Sequence, residues 1–117
     1  MDLSEAMKVH AEWKIKFRNA IAKQQTLDVA TISADNCCAL GKWLYGEGKI
    51  KFSRLKSHAD CVARHAVFHQ EAGNVARTIN EKKFTEAEDM IAPNTPFFKA
   101  STNVIIAIGA LQRDANI

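Results

Sequence analysis

The sequence predicts an all-α fold, an antiparallel four-helix bundle with an additional short helix, and three observations point there. Apolar residues recur at alternating three- and four-residue spacing over long stretches. No segment shows a sustained period-two pattern bounded by hairpin turns. The strongest breakers, Gly46 with Gly48 and Pro93 with Pro96, fall between these stripes and not inside them.

The elements follow in chain order. From Leu3 to about Gln24 the core-capable residues Leu3, Ala6, His10, Trp13, Phe17, Ala20 and Gln24 trace one amphipathic stripe, with Ser4 and Glu5 placed to cap its start. Thr26, Thr31 and Ser33 break the stripe, so Gln25 to Asp35 reads as a loop. Ser33 or Asp35 is then the N-cap of a second helix over about Asp35 to Tyr45. Gly46 and Gly48 stop that helix and open a polar loop through Ser53. The best-defined helix covers about Phe52 to Glu81, where Leu55, Ala59, Val62, His65, His69, Ala72, Ala76 and Ile79 share one face. The charge-rich stretch Glu81 to Glu88 is a solvated connection. Phe84 to about Ile91 makes a short helix, ended by Pro93 and Pro96 because proline lacks the amide donor. Phe97, Ser101, Val104, Ile108 and Leu111 mark the last helix, to about Arg113.

The chain has 117 residues, 47% apolar and 25% charged, which fits one domain over residues 1–117 that buries its own core. No apolar stretch is long enough to span a bilayer, and Met1 is followed by Asp2, Ser4 and Glu5 with no apolar signal region, so a cytoplasmic address is expected. The net charge of +3 is dispersed among acidic residues, which gives only weak support to nucleic acid binding, and no nucleic acid partner is expected. Three cysteines, an odd number, argue for free thiols or metal ligation over a disulfide framework.

Three of the four histidines fall on core-facing stripes, where a surface histidine is not expected. His65 and His69 are one helical turn apart, about 6 Å along the axis, and so stack on one face. Two imidazoles so placed converge on one ion. The remaining ligands must come from other helices, and Cys38 in the second helix and His10 in the first are the strong candidates. Three imidazoles and one thiolate are the donors that Zn²⁺ prefers, and a set closed by four protein ligands leaves no place for a catalytic water. His58, about 10.5 Å along the axis from His65, is too far to share the ion and reads as a supporting or surface residue. Cys37 points about 100° away from Cys38 and reads as a small buried residue; Cys61 belongs to the core or the surface. Trp13 and Trp43 are expected as the apolar wall that dries the site, and Gly41 as the point of close helix approach beside Cys38.

His10-x-x-Trp13, Cys38-x-Leu40-Gly41-x-Trp43 and His65-x-x-x-His69, in this order, resemble the chemoreceptor zinc-binding domain of bacterial signalling proteins, from about residue 6 to the C-terminus. The resemblance implies a helical bundle, usually homodimeric, with one zinc per subunit on His10, Cys38, His65 and His69. It implies attachment to chemoreceptor signalling helices or to a diguanylate cyclase, and sensing of zinc or of oxidants through the ligating cysteine. No such output segment is recognisable in these 117 residues. The alternative role is a structural, zinc-stabilised homodimerisation bundle. Enzymatic readings are disfavoured: the His65 helix lacks the glutamate that serves as base in helical zinc proteases, and no stripe carries the Glu-x-x-His pairs of di-iron bundles.

Overall fold

The computed structural model describes residues 1–117 as eight helices and no strand: α1 (Leu3–Ala11), α2 (Trp13–Lys23), α3 (Val29–Ser33), α4 (Ala39–Tyr45), α5 (Glu47–Phe52), α6 (Lys56–Asn80), α7 (Phe84–Met90) and α8 (Pro96–Ala115). The all-α bundle expected from the sequence is what forms. No helix is long and apolar enough to cross a membrane.

Asp2, not Ser4, caps α1, its Oδ1 accepting the Glu5 N–H at 3.0 Å. Glu12 keeps near-helical dihedrals (φ −75°, ψ −13°), so α1 and α2 together make the arm expected over residues 3–24, with a break at Glu12. Gln24 closes it in the left-handed region at φ 52°. The segment read as a loop from Gln25 to Asp35 contains α3. Asp28 caps this helix through the Thr31 N–H at 3.2 Å, and Ile32 is buried where α3 lies on α6. Asn80 fixes the approach to α3 by accepting from the Leu27 N–H and donating to the Leu27 carbonyl, each at 2.8 Å. The polar loop expected after Gly46 is largely helical as well, because α5 forms there with a Lys51–Glu47 pair at 2.6 Å and Gly48 under the Trp43 ring. Helices this short do not persist alone in water; tertiary packing holds them, which is why periodicity misses them.

α6 is the central helix, with α8 along one side and α3 along another; α1 packs on α8. It starts at Lys56 and not at Phe52. Thr95 caps α8 by accepting the Phe98 N–H, with Pro96 in the first turn where its missing donor costs nothing. Phe17, Phe68 and Phe97 interlock in the core, Phe17 to Phe97 at 5.5 Å and Phe68 to Phe97 at 5.8 Å between ring centroids. The fourth member of the expected bundle is thus not one helix but the succession α3, α4 and α5. This broken side delivers the only donor that does not come from a long arm.

Candidate metal centre

His10 comes from the last turn of α1, and His65 and His69 from the middle of α6. Cys38, expected within the second helix, is instead the N-cap of α4, with extended dihedrals (φ −85°, ψ 163°). Its Sγ accepts the Gly41 N–H at 3.4 Å. Gly41 does permit a close approach, but of the preceding turn and not of another helix: a Cβ there would lie 1.7 Å from the Asp35 carbonyl oxygen. The turn closes tightly enough to aim the sulfur inward only because that Cβ is missing.

The four donors meet at one point, their ligand atoms all within 4.8 Å of one another. His65 Nε2 is 3.2 Å from His10 Nε2 and 3.0 Å from His69 Nε2. Cys38 Sγ is 3.2 Å from His65 Nε2, 3.6 Å from His69 Nε2 and 4.0 Å from His10 Nε2. Zinc–nitrogen and zinc–sulfur bonds of about 2.0 and 2.3 Å at the tetrahedral angle require N···N near ~3.3 Å and S···N near ~3.6 Å. The three sulfur–nitrogen distances bracket the second value, and the two nitrogen–nitrogen distances, 3.2 and 3.0 Å, fall slightly short of the first.

Proton placement agrees with a cation. His10 Nδ1 donates to the Ala6 carbonyl at 2.7 Å and His69 Nδ1 to the Ile32 carbonyl at 2.8 Å, which turns both Nε2 lone pairs toward the centre. His65 Nδ1 is buried with no partner. Inward lone pairs about 3 Å apart repel, and one cation at the centre satisfies all four donors at once.

Burial keeps the imidazoles neutral. It lowers His10 and His69 below the ordinary histidine value, against the pull of their carbonyl partners. Burial, reinforced by His69 and His10, lowers His65 to about 3. The Cys38 thiol is pushed up by burial and drawn down by the Gly41 and Leu40 amides. No carboxylate stands among the donors.

Other expectations need correction. The ring against the site is Phe68, 5.2 Å from His10 and 5.3 Å from His69, whereas Trp13 packs on Phe17 and Trp43 on Phe52. Phe68, three residues after His65 and four before Ala72, keeps the helical spacing of the buried face, which a stripe traced through Val62 and His69 passes by. His58 is not a surface residue: it is buried, and its Nε2–H donates to the Leu44 carbonyl at 2.9 Å, tying α6 to the end of α4. Cys37 is exposed instead of buried, since it belongs to a turn and not to a helix, and Cys61 is in the core. Asp35, which accepts from the Tyr45 hydroxyl, fastens the Cys38 turn to α4.

No curated protein and no solved structure matches the chain. The family described as the chemoreceptor zinc-binding domain matches residues 10–76, a span that begins at the first of the four donors and includes the other three. That span covers more than half of the 117 residues, and the chain belongs to this family of zinc-binding domains.

Proposed function

We propose that this chain is a sensory and regulatory domain in which His10, Cys38, His65 and His69 hold one zinc ion, and that the occupancy of this site is what is signalled. The observation that carries the reading is the convergence of four donors from three segments within 4.8 Å, with two imidazole protons held outward on backbone carbonyls. Bound zinc supplies a cross-link among segments that nothing covalent joins in space. His65 and His69 are fixed on the central helix, so they form the base of the site. His10 ties in α1, and Cys38 ties in the turn before α4. Losing the sulfur contact frees that turn, which supports a packing change as the signal. Four protein donors with no carboxylate among them suit retention and release, not turnover.

Cys38 is half-buried, while His10, His65 and His69 are buried, which favours the sulfur as the donor that an oxidant reaches first. Oxidation to the sulfenic acid removes the thiolate and with it the hold on the metal. The output is a signalling segment attached to or contacting this domain, chemoreceptor helices or a cyclase, in a homodimer and in the reducing cytoplasm.

Metal analysis of protein purified without chelator tests the reading, with wild type beside His65→Ala and Cys38→Ala. Stoichiometric zinc in wild type and its loss in both variants is expected; no zinc in wild type, or full occupancy in both variants, overturns it. Cys38→Ser separates the two signals. A response to oxidant at constant zinc that survives this substitution removes the oxidation arm. Metal withdrawal that unfolds the whole domain, with no intermediate shift, assigns zinc a structural role instead of a signalling one.

A further inference from the structure

We infer that the cleft between α1 and the start of α4 is the port through which zinc reaches and leaves its donors, a proposal that rests on the zinc reading above. The cleft encloses about 220 Å³. Ala6 and Val9 line it from α1 and Ala39 from α4, and His10 and Cys38 are the two donors that border it. The four other principal cavities touch none of the donors. His65 and His69 do not border it, and among the four donors only the half-buried Cys38 is more than 4% exposed. The route therefore meets the sulfur and the His10 ring before the α6 pair.

Charge along the route suits a divalent cation. Asp2 and Glu5 border the same cleft and are exposed, two carboxylates against the single amino group of Met1, and no lysine or arginine lines it. Carboxylates at a mouth raise the local concentration of cations, and the apolar side chains beyond them offer no donor to hold the ion short of the site. A port has a kinetic signature that a ligand lacks. Narrowing it raises a barrier common to both directions, so the binding and release rate constants fall by the same factor and Kd is unchanged. Removing a donor raises release and weakens Kd.

The test is stopped-flow zinc binding and chelator-driven zinc release on the full chain. Ala39→Trp places an indole at the mouth from an exposed position in the first turn of α4. Both rate constants are expected to fall about tenfold, the effect of a further ~1.4 kcal/mol of barrier, with Kd unchanged within about twofold. Val9→Trp, from the opposite wall, is the second plug should the first variant fold poorly. Ile50→Trp, at a position 84% exposed and outside the cleft, is expected to leave both rates at the wild-type value. Asp2→Asn with Glu5→Gln, which keeps a competent N-cap on α1, is expected to slow binding about tenfold at low salt and much less at high salt. Stoichiometric zinc with unchanged rates in both plugged variants, or a rise in release alone, overturns the port and leaves the zinc reading standing. A wild type without zinc takes both down.

Discussion

Gly73 and Gly109 both lie inside long helices, and the same substitution at the two is expected to act with opposite sign. Gly73 is one turn beyond His69 on α6, where α3 crosses. An alanine Cβ there would stand 2.0 Å from Ser33 Oγ, 2.9 Å from Ser33 Cβ and 3.2 Å from Ser33 Cα. Rotating the hydroxyl relieves only the first contact; the other two require the backbone of α3 to retreat. That helix carries Ile32, whose carbonyl accepts the His69 Nδ1–H at 2.8 Å. Replacing glycine in a helix interior by alanine gains about 1 kcal/mol of propensity, whereas overpacking costs ~1–3 kcal/mol. Gly73→Ala is therefore expected to destabilise the metal-free fold by up to about 2 kcal/mol. It is also expected to weaken zinc binding about tenfold or more, the usual effect of losing a partner that orients a metal-ligating histidine. At Gly109 the nearest atoms to a Cβ are Arg113 Nη1 at 3.7 Å and Met7 Sδ at 3.8 Å, ordinary contacts. Gly109→Ala should stabilise by about 1 kcal/mol and leave zinc affinity alone. Urea unfolding of the chelator-treated proteins and a competitive zinc titration read both quantities. A Gly73→Ala protein as stable as Gly109→Ala, with wild-type zinc affinity, would refute the coupling of α3 to the site.

The neutral histidines make the metal-free fold acid-sensitive. Because burial sets His65 at about 3 in the fold while the unfolded chain titrates near the ordinary value of 6.5, the unfolded state binds the extra proton between those limits. Stability is then fully present above about pH 6.5 and falls toward pH 3, by about 1.4 kcal/mol per pH unit from His65 alone; denaturation midpoints that stay flat between about pH 7 and 5 would contradict this. The three thiols should alkylate in the order Cys37, Cys38, Cys61. Cys37 is exposed, Cys38 becomes reactive once the metal is withdrawn, and burial raises Cys61 to about 12, so that it waits for unfolding; peptide mapping after graded iodoacetamide treatment checks the order, and early loss of Cys61 would break it. Asn80→Ala strips both hydrogen bonds from Leu27 and should cost about 1–3 kcal/mol in the same urea assay; an unchanged midpoint would refute that cost.

The long helices are legible because α6 and α8 repeat their apolar stripe over several turns, and the pair Pro93 and Pro96 punctuates the chain between them. α3 and α5 are not, since five or six residues complete little more than one turn and present no stripe to read. The donors were legible as chemistry: a histidine on a core-facing position must be satisfied, and three of them with one cysteine suggest a shared partner. Their setting was less so. The His10 partner, the Ala6 carbonyl, lies one turn back on the same helix and has a local signal; the His69 partner, the Ile32 carbonyl, comes from a helix that periodicity does not reveal. Backbone acceptors carry no residue type, so composition cannot place them.

The N-cap position of Cys38 has a consequence that a mid-helix cysteine would not. One sulfur accepts the first-turn amide of Gly41 and faces His65 and His69, so the start of α4 and the metal site depend on the same atom. The other end of α4 is held separately, by the His58 Nε2–H on the Leu44 carbonyl. Asp35 and Tyr45 join the turn to the helix, so the segment from Asp35 to Tyr45 hangs together as one body. Withdrawing the sulfur from the site would therefore loosen this body at the Cys38 end, where the buried Leu40 remains its anchor, while His58 retains it at the Leu44 end. Under the proposed signalling role, hydrogen exchange after Cys38→Ser is expected to rise at the Cys38 end of this segment and not at the Leu44 end; equal protection at both ends would refute the asymmetry.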